Sequence, residues 1–187
     1  MLMQGCWLEG RRKPLAIHLP KGALRPLREM LRAVFIFDEV LPFRLQLTSL
    51  VAAKPANICG VRVTAFHTSH LDGYKALLGK KYGSRFDAYS FLLEADGRRV
   101  AHSADLGKPE DLEPLLQKPV DLLVCELAHF SSESLFSYLR GRKIKNLVFI
   151  HLSRQVRQNL AQTRRLAARM LGGIPHAFAR DGQVIGF

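Results

Sequence analysis

The chain has 187 residues, 48% of them hydrophobic and 24% charged, which is enough for one domain with its own core and excludes a disordered or collagen-like polypeptide. No run approaches the roughly 18 apolar residues of a membrane span. The charge is unusual: 28 Lys and Arg against 16 Asp and Glu give +12, a balance that favours anionic partners such as nucleic acid, phosphate esters or anionic lipid without saying what is done to them.

From the amino terminus, Met1 to Lys13 places its charges after its apolar residues, the reverse of a secretory signal. Cys6, Cys59 and Cys125 are odd in number and far apart, with no C-x-x-C pair. Neither a thiolate zinc site nor a disulfide framework is expected, and a reducing, cytoplasmic compartment fits. Pro14–Pro20 reads as a strand closed by prolines, and Leu24–Val34 has the apolar spacing of a helix. Phe43–Leu47 and Val61–Phe66 read as strands, and the glycine-broken basic stretch from Lys75 to Arg85 as a short helix or loop excursion. Ala88–Glu94 and Arg98–Ser103 flank Ala95-Asp96-Gly97, a strong hairpin signal.

The pattern then changes to alternating units. Pro109–Leu116 reads as a helix with Pro in its first turn. Asp121–Glu126 and Asn146–His151 are continuous apolar runs, hence strands buried on both faces. Ser131–Leu139 is helical, with Ser131 or Ser132 as N-cap. Ser153–Leu171 reads as one long helix, and Ala177–Arg180 with Gln183–Phe187 as a closing hairpin around Asp181-Gly182. Antiparallel hairpins first and strand–helix units later define a mixed α/β protein, read as one domain spanning 1–187.

Reactive groups in layered α/β proteins tend to lie in loops just past strand ends. His70, Asp105, Glu126, His129 and His151 all do so here, and imidazole with carboxylate suits zinc or another divalent first-row metal. His18, His102 and His176 are read as structural. His67 stands three residues before His70, but at a strand exit the pair does not share a face.

The segments Phe66–His70, Tyr89–Glu94, His102–Asp105, Asp121–Phe130 and Val148–Ser153, followed by Phe178–Ile185, resemble in this order the metallo-β-lactamase superfamily, above all its ribonuclease Z-like branch, from about Leu15 to the end. The resemblance implies an αββα sandwich and a metal-dependent hydrolase, a phosphodiesterase, with two zinc ions in complete relatives. It places His70 on one metal, Asp105 between two and His151 on the second, with Glu126 and His129 orienting ligands or transferring a proton to the leaving group. The family's H-x-H-x-D-H signature is absent, and His67–Asp72 does not have its spacing. The resemblance therefore implies a domain lacking its amino-terminal strands, weak or partial zinc occupancy and impaired activity.

Arginines at 154, 157, 164, 165 and 169 fall on one arc of the predicted long helix, opposite Val156, Leu160, Thr163, Leu166, Ala167, Met170 and Leu171. This arc is either a solvated face or a contact surface for phosphates. Arg11-Arg12-Lys13 and Lys80, Lys81 and Arg85 are further basic clusters, with only Tyr82 and Phe86 available for base stacking. The alternative to an enzyme is a non-catalytic basic fold remnant that binds nucleic acid or a partner protein. A phosphate-ester or nucleic-acid substrate and a homo-oligomer are both compatible with the sequence, and no membrane association is expected.

Overall fold

A computed structural model describes residues 2–83 and 85–187. The chain forms two compact units, Met1–Val51 and Ala52–Phe187. In the first, helix α1 (Leu2–Leu8) precedes strand β1 (Leu15–Pro20), helix α2 (Leu24–Ala33) and strand β2 (Leu45–Leu50). β1 and β2 pair in parallel, Leu15 opposite Leu45 through to Pro20 opposite Leu50. The strand–helix–strand order read for this stretch is present, and the crossover through α2 brings the two strands together in parallel. The predicted strand at Phe43 starts two residues later, since Phe43 is itself spent on the core of this unit with Met3, Leu31, Ile36 and Leu41.

The second unit is built on one mixed sheet whose seven strands follow chain order: β3 (Ala56–Ile58), β4 (Val61–Thr68), β5 (Ala88–Ala95), β6 (Arg98–His102), β7 (Leu122–Leu127), β8 (Leu147–Leu152) and β9 (His176–Phe178). β3 to β6 are antiparallel; β6 to β9 are parallel. The tight β5–β6 turn has Asp96 at φ 49° and Gly97 at φ 71°, the two left-handed positions that a type I′ hairpin requires. β7 is buried along nearly all its length, as its apolar run predicts. Helix α3 (Asp72–Tyr82) starts earlier than the sequence suggests, with Asp72 in its first turn, and follows β4.

Three further predicted elements differ from the structure. Pro109–Leu116 forms only a 3-10 turn, Pro109–Leu112, followed by further tight turns. Bonds such as Leu115 N–H to the Leu112 carbonyl (3.0 Å) stack Leu112 and Leu115 on one side, and both are fully buried. The predicted closing hairpin reduces to β9, which joins the sheet edge parallel to β8. Its turn forms, with Gln183 N–H donating to the Arg180 carbonyl at 3.1 Å, but no strand follows; Val184 is 96% exposed and has no surface to pair against.

The predicted long helix is two helices, α5 (Arg154–Gln158) and α6 (Leu160–Met170), which meet at Asn159 (φ −116°, ψ 32°). Asn159 turns its side-chain amide onto the Gln155 carbonyl (3.1 Å), the local competition that makes Asn a poor interior residue. Helix α4 (Ser132–Leu139) forms as predicted, its Ser131 Oγ accepting from Ser134 N–H at 3.1 Å. Leu135, Phe136 and Leu139 of α4, with Ala167 of α6, pack with Leu123, Cys125 and Leu127 of β7 and Phe149 of β8. That core lies behind the carboxyl ends of the parallel strands, where the reactive loops emerge.

Candidate metal centre

Four strand exits converge. β4 ends at Thr68 and passes into the 3-10 turn Ser69–Leu71, which carries His70. Asp105 lies past β6, and His129 past β7. His151 sits within the last turn of β8. Pairing runs Glu126 with Ile150, then Leu127 with Leu152, so His151 is an extra residue, a bulge in a parallel ladder. Its φ of 45° is the left-handed value such a residue needs. The kink leaves His151 about half exposed, at 53%.

The side chains form a compact row. The His70 and His129 rings lie 4.5 Å apart edge to face, and the His129 and His151 rings 5.4 Å apart. Asp105 faces two of them with different oxygens: Oδ2 is 3.8 Å from His70 Nε2, and Oδ1 is 3.7 Å from His151 Nε2. One ligand atom each from His70, Asp105 and His129 lies within 4.8 Å of the others. Among the described residues, Asp105 has no Lys or Arg ion pair. Donor atoms that share an ion such as zinc stand about 3–4 Å apart, so the group fits a divalent cation after drawing in slightly. Imidazole with carboxylate is the donor set such an ion takes.

Glu126 organises this end from beneath. It is fully buried, and among the described residues it pairs with no lysine or arginine. Oε1 accepts from Leu106 N–H (2.8 Å) and contacts His129 Nδ1 (2.7 Å); Oε2 accepts from Ala128 N–H (2.7 Å) and His129 N–H (3.2 Å). A carboxylate against Nδ1 fixes the imidazole tautomer and leaves Nε2 as the free donor atom of His129. Glu126 thus fixes both His129 and the backbone next to Asp105.

Sequence reasoning missed the groups that hold the Asp105 loop. Thr68 Oγ1 donates to the Asp105 carbonyl at 2.8 Å. Ser103 Oγ accepts from Glu126 N–H (2.9 Å) and donates to the Ala104 carbonyl (2.7 Å), with Ala104 at φ 47°. Asp111 accepts from Ser69 N–H and from Gly107 N–H, each at 2.9 Å, tying the His70 turn to the Asp105 loop. Gly107 permits that approach: a Cβ there would stand 2.6–2.7 Å from the Ser69 carbonyl group. The signal for this clamp in the sequence is the polar pair Thr68-Ser69 just before His70 and the glycine two residues past Asp105.

The remaining histidines and the cysteine stay out of the row. His67 packs on Tyr89, ring centroids 4.8 Å apart. His102 Nδ1 accepts from Ala104 N–H (3.0 Å), and burial holds its imidazole below the usual histidine value against a weaker opposing pull from Asp105. His176 Nδ1 contacts the Ile174 carbonyl, and His18 lies on β1 in the first unit. Cys125 is fully buried, and burial together with the neighbouring Glu126 raises its pKa strongly, so it does not offer the thiolate that binds metal.

The five arginines divide between two concavities and open surface. Arg154, Arg165 and Arg169 line a cleft of about 760 Å³ with Phe130 and Glu133. Arg164 instead sits over the Phe178 ring at 5.9 Å, beside a second concavity, and Arg157 lines neither. The division follows the roughly 100° step of the helix, which puts 154, 165 and 169 on one side of the arc and 157 and 164 on the other. Of the other basic clusters, Arg85 pairs with Asp87 (3.1 Å), Lys81 stands over Tyr82 (5.1 Å), and Arg11 donates to the Lys13 and Pro14 carbonyls of its own loop.

Fold and cluster together define a mixed α/β protein with a histidine–aspartate group fit to hold metal at the exits of its parallel strands. The profile of the beta-lactamase superfamily domain matches residues 5–171, and the chain belongs to this family. Among solved structures it is similar to the metallo-beta-lactamase fold protein YhfI from Bacillus subtilis (TM-score 0.70, 15% identity, 96% of this chain and 68% of that one). It is likewise similar to Zn2+-bound PqqB from Methylobacterium extorquens (0.67, 15%, 98% and 66%) and to a diphosphatase from the PhnP family (0.61, 15%, 97% and 62%). The chain therefore spans about two thirds of the length of the structures it resembles. No curated protein matches it. None of its described helices is long and apolar enough to cross a membrane.

Proposed function

We propose that the chain is a metal-dependent phosphoesterase, a phosphodiesterase in substrate class, whose cation is zinc held by His70, Asp105, His129 and His151. The observation that carries this is Asp105: a half-exposed carboxylate with no basic partner among the described residues, each oxygen facing a different imidazole. A similar fold holds Zn2+ in PqqB, and another belongs to a diphosphatase. The bound cation would supply Lewis acidity toward a phosphoryl oxygen and lower the pKa of water.

The residues of the chain divide that work. Asp105 spans the row, and His70 and His151 flank it. Glu126 is a positioning residue: it holds the proton on His129 Nδ1 and so keeps Nε2 turned outward. If Asp105 bridged two ions, with His70 and His129 on one, only His151 and Asp105 would remain for the other. Four donors are too few for two tight sites, so binding is weak and activity impaired at low zinc. Metal content after dialysis, followed by cleavage of a chromogenic phosphodiester in excess zinc, tests this. Fewer than two retained ions, with zinc-dependent cleavage lost in Asp105→Asn, is the expected result. Two tightly held ions overturn the impairment, and no zinc-dependent cleavage overturns the activity.

A further inference from the structure

We infer that the cleft lined by Arg154, Arg165 and Arg169 is the subsite for a second anionic group of a small substrate, a phosphate beyond the one that is cleaved. The inference rests on the phosphoesterase reading and names its substrate class. Four observations carry it. First, the cleft adjoins the metal row: Ala128 and Phe130, which flank His129, both line it, as do Ser153 and Arg154 just past His151. The cleft is thus lined by chain neighbours of two of the row's histidines. Second, three guanidiniums line it against one carboxylate, Glu133, and among the described residues none of the three makes an ion pair within 4.0 Å. Guanidinium forks on a concave wall suit phosphate oxygens, which they bind in bidentate fashion.

Third, the size is that of a small-molecule site: about 760 Å³ lies within the 300–1,000 Å³ typical of such pockets. Fourth, Arg154, Arg165 and Arg169 line the cleft together while Arg157 and Arg164 stay outside it, as the roughly 100° step of a helix places 154, 165 and 169 on one side and 157 and 164 on the other. A strand of nucleic acid lying along the helix would want all five on one face; a compact diphosphate or nucleotide-like ester needs only the three. Phe130 in the same wall offers an apolar surface for the organic part of such an ester.

The test separates this site from the metal row by measuring binding instead of turnover. Inorganic pyrophosphate is titrated calorimetrically into the chelator-treated full chain, into Arg165→Gln/Arg169→Gln and into Arg157→Gln/Arg164→Gln, with thermal unfolding confirming that each variant is folded. The expected result is that pyrophosphate binds without metal, and that the first pair weakens it about tenfold or more, the loss of one charge-assisted contact or more. The second pair should change it by less than about twofold, a screened surface effect. Equal weakening by both pairs overturns the assignment, as does binding that vanishes on chelation or in His129→Ala. A ten-nucleotide single strand is the second probe: binding tighter than that of pyrophosphate and dependent on all five arginines overturns the small-substrate class. Absence of phosphodiester cleavage in zinc would sink the proposed activity but leave the pyrophosphate result standing, so the two failures are distinguishable.

Discussion

Asp121 enters strand β7 and Glu126 leaves it, and both side chains are nearly or fully buried. Asp121 is matched by formal charge: Lys145 Nζ lies at 2.6 Å, Arg98 Nη1 at 3.8 Å, and Arg99 N–H donates at 2.8 Å. Among the described residues Glu126 pairs with no lysine or arginine; its partners are three backbone N–H groups and an imidazole. One acid ties strands together through exposed lysine and arginine side chains. The other fixes loops by directional bonds from rigid backbone. A charge pair at a surface tolerates drift, whereas a carboxylate that must aim an imidazole does not.

The largest effect should come from breaking the exit acid. Glu126→Ala leaves the Leu106, Ala128 and His129 amides and an imidazole without their common acceptor, a loss of about 3 kcal/mol or more by urea unfolding. Zinc retention should fall with it, because His129 and the Asp105 loop lose their common anchor. A midpoint shift of a few tenths would make Glu126 no more than another surface acid. Next in size, Gly107→Ala pushes a methyl into the Ser69 carbonyl group and should destabilise by about 1–3 kcal/mol, the range for overpacked sites. Gly79→Ala, inside α3 with only the flexible Lys75 Cγ near (3.7 Å), should instead stabilise by about 0.5–1 kcal/mol, so the two changes should move the melting temperature in opposite directions.

His151→Gly probes orientation by backbone instead of by hydrogen bond. Glycine relieves the left-handed φ, so stability should stay level or rise by about 1 kcal/mol while zinc affinity drops. A fall in both would mean that the ring packs as well as points. The smallest effect belongs to the entrance acid. Lys145 first, then the Arg99 amide, hold the Asp121 carboxyl below its ordinary 3.8. Its contribution is therefore present above about pH 4 and lost as pH falls through the lowered value. The stability gap between the wild type and Asp121→Asn should close on acidification, and zinc binding near neutral pH should not change in that variant.

Much of the second unit was legible from residues alone. Val61–Phe66, the Asp96-Gly97 turn, the two apolar strands and the Ser131 cap depend on local rules, and the structure keeps them. What was not legible depends on distant partners. Asp111 leaves a helical reading because its carboxylate is claimed by Ser69 and Gly107, about forty residues and four residues away in sequence. The long helix assumed from Ser153 to Leu171 is interrupted where the Asn159 amide turns onto the Gln155 carbonyl. β1 and β2 are parallel because of where α2 returns the chain. Each of the five candidate site residues could be located at a strand exit, but no spacing says that a single buried carboxylate connects two of those exits.

His151 carries one more consequence. Because β8 regains its pairing at Leu152, the histidine is a guest in the ladder, outside the alternation that decides which neighbours face the core. Its identity is thus decoupled from the packing of Phe149 and Leu152. A sheet with such a guest position can exchange one reactive group for another, histidine for aspartate or serine, without renegotiating its interior. The chemistry at this strand end can drift while the architecture stays fixed.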